Sequence, residues 1–341
     1  MTMKKIIFLL ISATLLVACE KQIDIDIEDL EQQLVVKAQN EAGSPLVVDL
    51  TYSRPVYGTF YVRNGEDYFP AVDNATVTLS IDGGATVTAT RDGGTYTFAH
   101  VPQPGEQLTL NIAVPGRDPV SATATVPQQP TVVGIDTATS LNGESYGVFL
   151  QYSISFNLND RPATEDFYSI RLRKTDTIIT LHRDEEGNVL SSDTNIRKDY
   201  NWFTCSDYLI VDGTGLNVSI DDPTATNSFA GNELLFTDAK INGQSHRIIL
   251  KMGDDYDYYY EDDYLKTGDT VFSHSSLMLE VTALSRDLYL YRQTMNNYDG
   301  DPLLSFFSEP MQIHSNITGG IGIFGVSSKV SCTIPYRSRH D

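Results

Sequence analysis

Apolar residues recur at every second position of this chain, and glycine-rich turns break the pattern at short intervals. Val77, Leu79 and Ile81 alternate with Thr76, Thr78 and Ser80, and the run ends at Asp82-Gly83-Gly84. Val87 and Ala89 resume it, Asp92-Gly93-Gly94 turns it again, and Tyr96, Phe98, Leu108, Leu110 and Ile112 continue it. A period of two puts alternate side chains on one face of a strand, and glycine accepts the positive φ that tight hairpins require. Short strands joined by such turns predict an immunoglobulin-like β-sandwich over residues 33–127. Composition agrees: 19 Tyr and 14 Phe accompany a single Trp, a strand-forming mixture.

At about 150 residues per domain, 341 residues predict two domains. Val126-Pro127-Gln128-Gln129-Pro130 reads as the linker, since two prolines break a ladder and stiffen an extended segment. Residues 128–341 then form a larger β-rich domain. Its expected strands are Val148–Phe156, Phe167–Leu172, Leu209–Val211, His246–Met252, Leu277–Ala283 and Lys329–Pro335. One helix is expected near 285–297, where Ser285 can N-cap and Leu284, Leu288, Tyr291 and Met295 recur at helical spacing. The fold class is therefore all-β, with two sandwich-like domains and one short helix. Strand–helix–strand alternation is missing, which argues against a parallel α/β sheet.

The N-terminus carries an address. Lys4 and Lys5 precede the twelve-residue apolar run Ile6–Val17, too short to span a bilayer, which takes ~20 residues. Leu16-Val17-Ala18-Cys19 follows with the form of a bacterial lipobox. Residues 1–18 read as a lipoprotein signal peptide, Cys19 as the lipidated residue, and 19–32 as an acidic tether. The lipid is then the expected membrane attachment, and two or three acyl chains suffice for stable anchoring. Loss of Lys4 and Lys5 with the signal takes the net charge from −21 to −23. So acidic a surface disfavours nucleic acid, whose phosphates need cationic partners. Cys205 and Cys332 remain in an oxidising compartment, where they can form a disulfide or stay as two separately buried thiols.

Motifs for catalysis do not survive their context. Gly143-Glu144-Ser145-Tyr146-Gly147 has nucleophile-elbow spacing, but a strand-like run follows where an elbow needs a helix, so a hairpin loop is expected. Gly320-Ile321-Gly322-Ile323-Phe324-Gly325 has dinucleotide-loop spacing, but Val326-Ser327-Ser328-Lys329 after it is strand-like; a tight bend between strands is expected. The six histidines lack zinc-protease spacing. No catalytic residue and no cofactor is expected.

The most unusual segment runs Asp254-Asp255-Tyr256-Asp257-Tyr258-Tyr259-Tyr260-Glu261-Asp262-Asp263-Tyr264, six carboxylates and five phenols in eleven residues. Such charge density predicts an exposed loop. It can bind a hard cation, meet a basic ligand, stack its tyrosines on sugar or peptide, or serve only as a solvated loop. Asp254, Asp255, Tyr256, Asp257, Tyr260, Glu261, Asp262 and Asp263 are its candidate site residues. Asp136-Thr137-Ala138, Asp176-Thr177-Ile178 and Asp269-Thr270-Val271 fit a short O-glycosylation pattern of low specificity.

The tail carries a wider pattern. Leu284-Ser285-Arg286-Asp287-Leu288-Tyr289-Leu290-Tyr291 leads through Phe306-Phe307-Ser308-Glu309-Pro310 to Ser315–Gly325. Phe236-Thr237-Asp238-Ala239-Lys240-Ile241-Asn242-Gly243 and Cys19-Glu20-Lys21, leading to Leu34-Val35-Val36-Lys37-Ala38, belong to the same set. Together these resemble the Bacteroidota lipoproteins called domain of unknown function 4249, over nearly the whole mature chain. The acid- and tyrosine-rich loop departs from that pattern. The resemblance implies an outer-membrane lipoprotein, often encoded near a TonB-dependent transporter, and transfers no catalytic residue; a surface-exposed position is expected over a periplasm-facing one. The expected function is ligand capture or docking for such a transporter; a structural or adhesive surface protein, or an envelope hydrolase, are the alternatives.

Overall fold

A computed structural model describes residues 32–53, 62–63, 66–67, 69–144, 147–162, 164–211, 228–253, 270–296 and 312–335. Its strands are β1 (Leu34–Glu41), β2 (Val47–Tyr52), β3 (Val62–Arg63), β4 (Glu66–Asp67), β5 (Thr76–Ile81), β6 (Thr86–Thr88) and β7 (Thr90–Asp92). They continue as β8 (Thr95–Thr97), β9 (Gln107–Ala113), β10 (Val120–Thr125), β11 (Thr131–Glu144), β12 (Gly147–Asn159), β13 (Phe167–Arg183) and β14 (Val189–Asn201). The last are β15 (Phe203–Cys205), β16 (Phe229–Gly231), β17 (Leu234–Thr237), β18 (Ser245–Gly253), β19 (Thr270–Leu284) and β20 (Ile321–Ile334). The chain is all-β, as the alternation requires. The expected helix is Arg286–Asn296. Leu209–Val211, expected as a strand, lies instead in a single helical turn, Tyr208–Val211, where Asp207 accepts hydrogen bonds from the backbone N–H of Leu209 and Val211.

One nine-stranded sheet runs through the molecule in the order β14-β13-β19-β20-β1-β2-β8-β7, with β17 beside the near end of β13. A four-stranded sheet, β10-β9-β5-β6, covers one end of it. A five-stranded sheet, β11-β12-β18-β15-β16, stands over the other end. Between the first pair lies a core that includes Val36 on β1, Val48 and Leu50 on β2, Leu79 on β5, Leu110 on β9, and the aromatic residues Tyr96 and Phe98. Between the second pair, Phe156, Ile170, Phe236, Leu250, Leu279 and Val281 are buried together. Each core forms because the alternating apolar residues of two facing sheets meet and leave water; burial of each large side chain is worth roughly 1.5–3 kcal/mol.

The reading from sequence separates 33–127 from 128–341. In the structure the two sandwiches share their central sheet. β20 pairs in parallel with β1 from Val35↔Ile321 to Glu41↔Ser327, and antiparallel with β19 from Leu284↔Ser327 to Leu277↔Ile334. Its Phe324 and Val326 enter the first core and its Ile334 the second. The proline-rich connection is also fastened to this strand: Ser328 Oγ donates to Pro127 O at 2.6 Å, and Gln129 Nε2 to Lys329 O at 2.7 Å.

The glycine run at 320–325 is therefore not a bend throughout. The turn falls at Gly319–Gly320, and Gly322 lies inside β20 with φ +114°. A Cβ there would stand 2.0 Å from Val36 O, so only glycine lets the two backbones pair. The Gly143–Gly147 motif closes a hairpin, since Glu144 pairs with Gly147; Ser145 and Tyr146 lie outside the described residues. Ser285 precedes the helix as expected, but its hydroxyl is used differently. It accepts from Val326 N at 3.2 Å and so ties the helix start to β20. The helix packs Leu288 and Tyr289 on Phe167, Leu235, Leu284 and Ile323, on the outer side of the shared sheet.

Candidate functional site

Cys19 and the tether up to residue 31 lie outside the described residues, as do Asp254, Asp255, Tyr256, Asp257, Tyr260, Glu261, Asp262 and Asp263. Cys205 and Cys332 are both free thiols in the structure, so the disulfide alternative is not formed. Cys205 is buried on β15 of the five-stranded sheet, and Cys332 lies half-buried on β20 of the shared sheet. Burial pushes the Cys205 thiol up to about 11, which makes it a packing group rather than a nucleophile. No helix among the described residues is long and apolar enough to cross a membrane.

Two features stand out that the motif search did not assemble. The first is a carboxylate cluster at the ends of three strands. Asp160 follows β12, Asp166 precedes β13, and Asp238 follows β17 in the quoted Phe236–Gly243 segment. One oxygen from each lies within 4.8 Å of the others. That spacing suits a cation or a shared proton. Protein donors surround it. Asp160 accepts from Tyr168 Oη at 2.7 Å and Gly243 N at 2.8 Å. Asp166 accepts from Arg161 Nη2 at 2.6 Å and Thr164 Oγ1 at 2.9 Å. Asp238 accepts from Asn242 Nδ2 at 3.0 Å.

Protein donors thus meet five of the six oxygens, and these bonds clasp the loops together. Burial, followed by the charges of Asp160, Asp166 and Glu165, raises Asp238 to about 6 against an opposing backbone hydrogen bond. Burial and the bond to Asp160 raise Tyr168 as well, so it remains a donor. Asp238 is far from Asp160 and Asp166 along the chain, and the antiparallel pairing of β13 with β17 brings the three together.

The second feature is an arm. β13, β14 and β19 run on past the second core. Every residue from Val189 to Tyr200 on β14 is exposed, while Asn201 at its foot is buried. The neighbouring strand changes in step: Phe167–Leu172 on β13 includes five buried positions, and beyond Lys174 none is buried. The arm tip turns at Asp184–Asn188, where Asn188 N donates to Asp184 Oδ1 at 2.7 Å and Gly187 takes φ +83°. Val189, Leu190, Ile179 and Ile196 are apolar and exposed on the arm. β14 is the last strand of its sheet, so among the described residues one of its edges has no strand beside it.

A family model described as Domain of unknown function (DUF4249) matches residues 20–333. Comparison with curated proteins finds no match.

Proposed function

We propose, from the premise that this chain belongs to the DUF4249 family, that it is a non-catalytic, lipid-anchored outer-membrane lipoprotein that docks on a TonB-dependent nutrient transporter and presents ligand to it. The lipobox ending at Cys19 supports the anchor. The observation that carries the docking role is the arm formed by β13, β14 and β19. A strand exposed on both faces for twelve residues adds nothing to a core, and its apolar side chains and open edge suit contact with another β-protein.

The test uses a photo-crosslinking residue in place of Thr194 or Ile196 in cells that make the full chain. The expected result is an adduct with an outer-membrane transporter at those positions and none from Lys251, on the opposite sheet. Adducts with a transporter from Lys251 alone, or from no position, overturn the docking role. Cys19→Ala is expected to release the protein from the membrane fraction; retention there overturns the anchor.

A further inference from the structure

Two hairpins leave the second sandwich at one end, one from each of its sheets. Asp160 follows β12 and Asp166 precedes β13, so the carboxylate cluster marks the common base of the two strands. A second tie lies further on. Asn201, opposite Leu172 on β13, donates through Nδ2 to the thioether of Met252, opposite Tyr152 on β12. β13 therefore leaves the cluster as β12 approaches it, and the Arg183 end of one and the Gly147 end of the other lie at the far pole. β12 pairs with β18 from Gln151 to Asn159, and residues 147–150 pair, among the described residues, with β11 alone. This β11–β12 hairpin is a second, shorter prong on the sheet that faces the arm.

The most exposed aliphatic side chains among the described residues collect at this pole. Leu141 on the prong is 73% exposed, and Leu190, Ile196 and Val189 on the arm are 69%, 58% and 50% exposed. Ile249 on β18, next in order, stands at 46%. Leu141 is opposite Leu150, which still packs on the second core, yet Leu141 itself is left in water. β11 is the last strand of its sheet, and Thr137–Gly143 has neither a charge nor a proline to protect the open edge. Exposed leucines on two separate hairpins add nothing to either core and mark a contact surface.

The tether limits what this pole can meet. The chain enters the fold at the opposite pole, where Arg117 Nη1 donates to Gln32 O at 2.5 Å and Gln33 N to Ser53 Oγ at 2.9 Å. β1 begins beside Ile321 at the start of β20, β20 ends beside Leu277, and β19 extends from there to Thr270 beside Leu181. Thirteen steps along β20 and seven along β19 thus separate the entry point from the arm, roughly 60 Å at ~3.3 Å per residue. The thirteen steps from Cys19 to Gln32 span at most ~45 Å when fully extended. A lipid on Cys19 is therefore too close to the fold for the molecule to stand with both prongs pressed down on the bilayer. A second copy of the chain brings the same net charge of −21 and is repelled.

We infer that the β11–β12 prong and the β13–β14–β19 arm contact one partner together, and that they meet the transporter on its water-exposed surface, away from the bilayer. This rests on the docking reading of the arm; it adds a second contact element and names the part of the partner that both elements meet.

In cells that make the full chain, a photo-crosslinking residue replaces Leu141, or Val133 nearer the base of the same strand. Leu141 is expected to trap the transporter that Ile196 traps, as identified by mass spectrometry, and Val133 to trap none. Leu141→Ser should lower the transporter recovered with the chain from solubilised envelope about tenfold, the scale of one buried leucine, and leave the midpoint of thermal unfolding unchanged. An adduct from Ile196 without one from Leu141 overturns the inference and leaves the docking of the arm intact, whereas no adduct from either position overturns both. An equal transporter adduct from Val133, or a Leu141 adduct with lipid or with a second copy of the chain, also overturns it.

Discussion

Gly322 and Asp238 are single positions on which larger pieces of the molecule depend. At Gly322 the missing side chain lets β20 lie against β1, with Val36 O where a Cβ would be. Gly322→Ala is expected to lower the midpoint of thermal unfolding far more than Gly187→Ala. Gly187 also has a positive φ but open space around it, so its loss should stay near the ~1–2 kcal/mol of a left-handed L-residue. Equal effects in the two melts would show that backbone approach is not the constraint. Asp238 gives a pH signature. Its folded pKa lies near 6, above the ordinary value of 3.8, so the native state binds the extra proton in between. The group's contribution is fully present at low pH and is lost as pH rises from about 4 through 6. Denaturant titrations across that window should show stability falling with pH from this group, and Asp238→Asn should flatten that component. An unchanged slope in the variant would remove Asp238 from the account. The Glu233 side chain works in the opposite sense: burial tends to raise it, but Arg292 and Arg171 outweigh this and hold it low, so its stabilisation fades as pH falls.

Strands differ in how they are held, and this shows in what a substitution does. Ile170 and Ile196 are both isoleucines in neighbouring strands of the shared sheet, yet Ile170 is fully buried and Ile196 is 58% exposed. Ile170→Ala should cost about 2–5 kcal/mol in chemical denaturation. Ile196→Lys should stay within about 0.5 kcal/mol while abolishing the arm's crosslink. A large loss of stability in Ile196→Lys would mean that the arm serves the fold. The same contrast explains which elements were legible in the sequence. Val77-Leu79-Ile81 and Leu108-Leu110-Ile112 announce themselves because one face of each strand is buried. Val189–Asn201 has no such alternation, since neither of its faces meets a core, and so a thirteen-residue strand passes unnoticed. Leu209–Val211 misleads for the opposite reason: a short apolar run fits a strand or a buried helical turn equally well, and Asp207 selects the turn. Of the three carboxylates only Asp238 stands in a recognisable segment, Phe236–Gly243, and Asp160 and Asp166 join it only through strand pairing that sequence does not display.

The two cores lean on one sheet, so the whole molecule is expected to behave as one unit. β20 supplies Phe324 and Val326 to the first core and Ile334 to the second, and the Pro127–Pro130 segment is tied to it by hydrogen bonds. Calorimetry is expected to show a single transition whose van't Hoff and measured enthalpies agree. Phe324→Ala should lower that transition by about 3–5 kcal/mol of stability for both sandwiches together. Two resolved transitions, with only the first shifted, would establish independent domains. That shared strand also sets the order of assembly. β1 is the first described strand to be made and β20 is the last, so the central sheet lacks its joining member until the other described strands have been made. Until β20 pairs, neither core is closed: the first lacks Phe324 and Val326, and the second lacks Ile334. The contact that locks the two halves together is thus the last to become available to either.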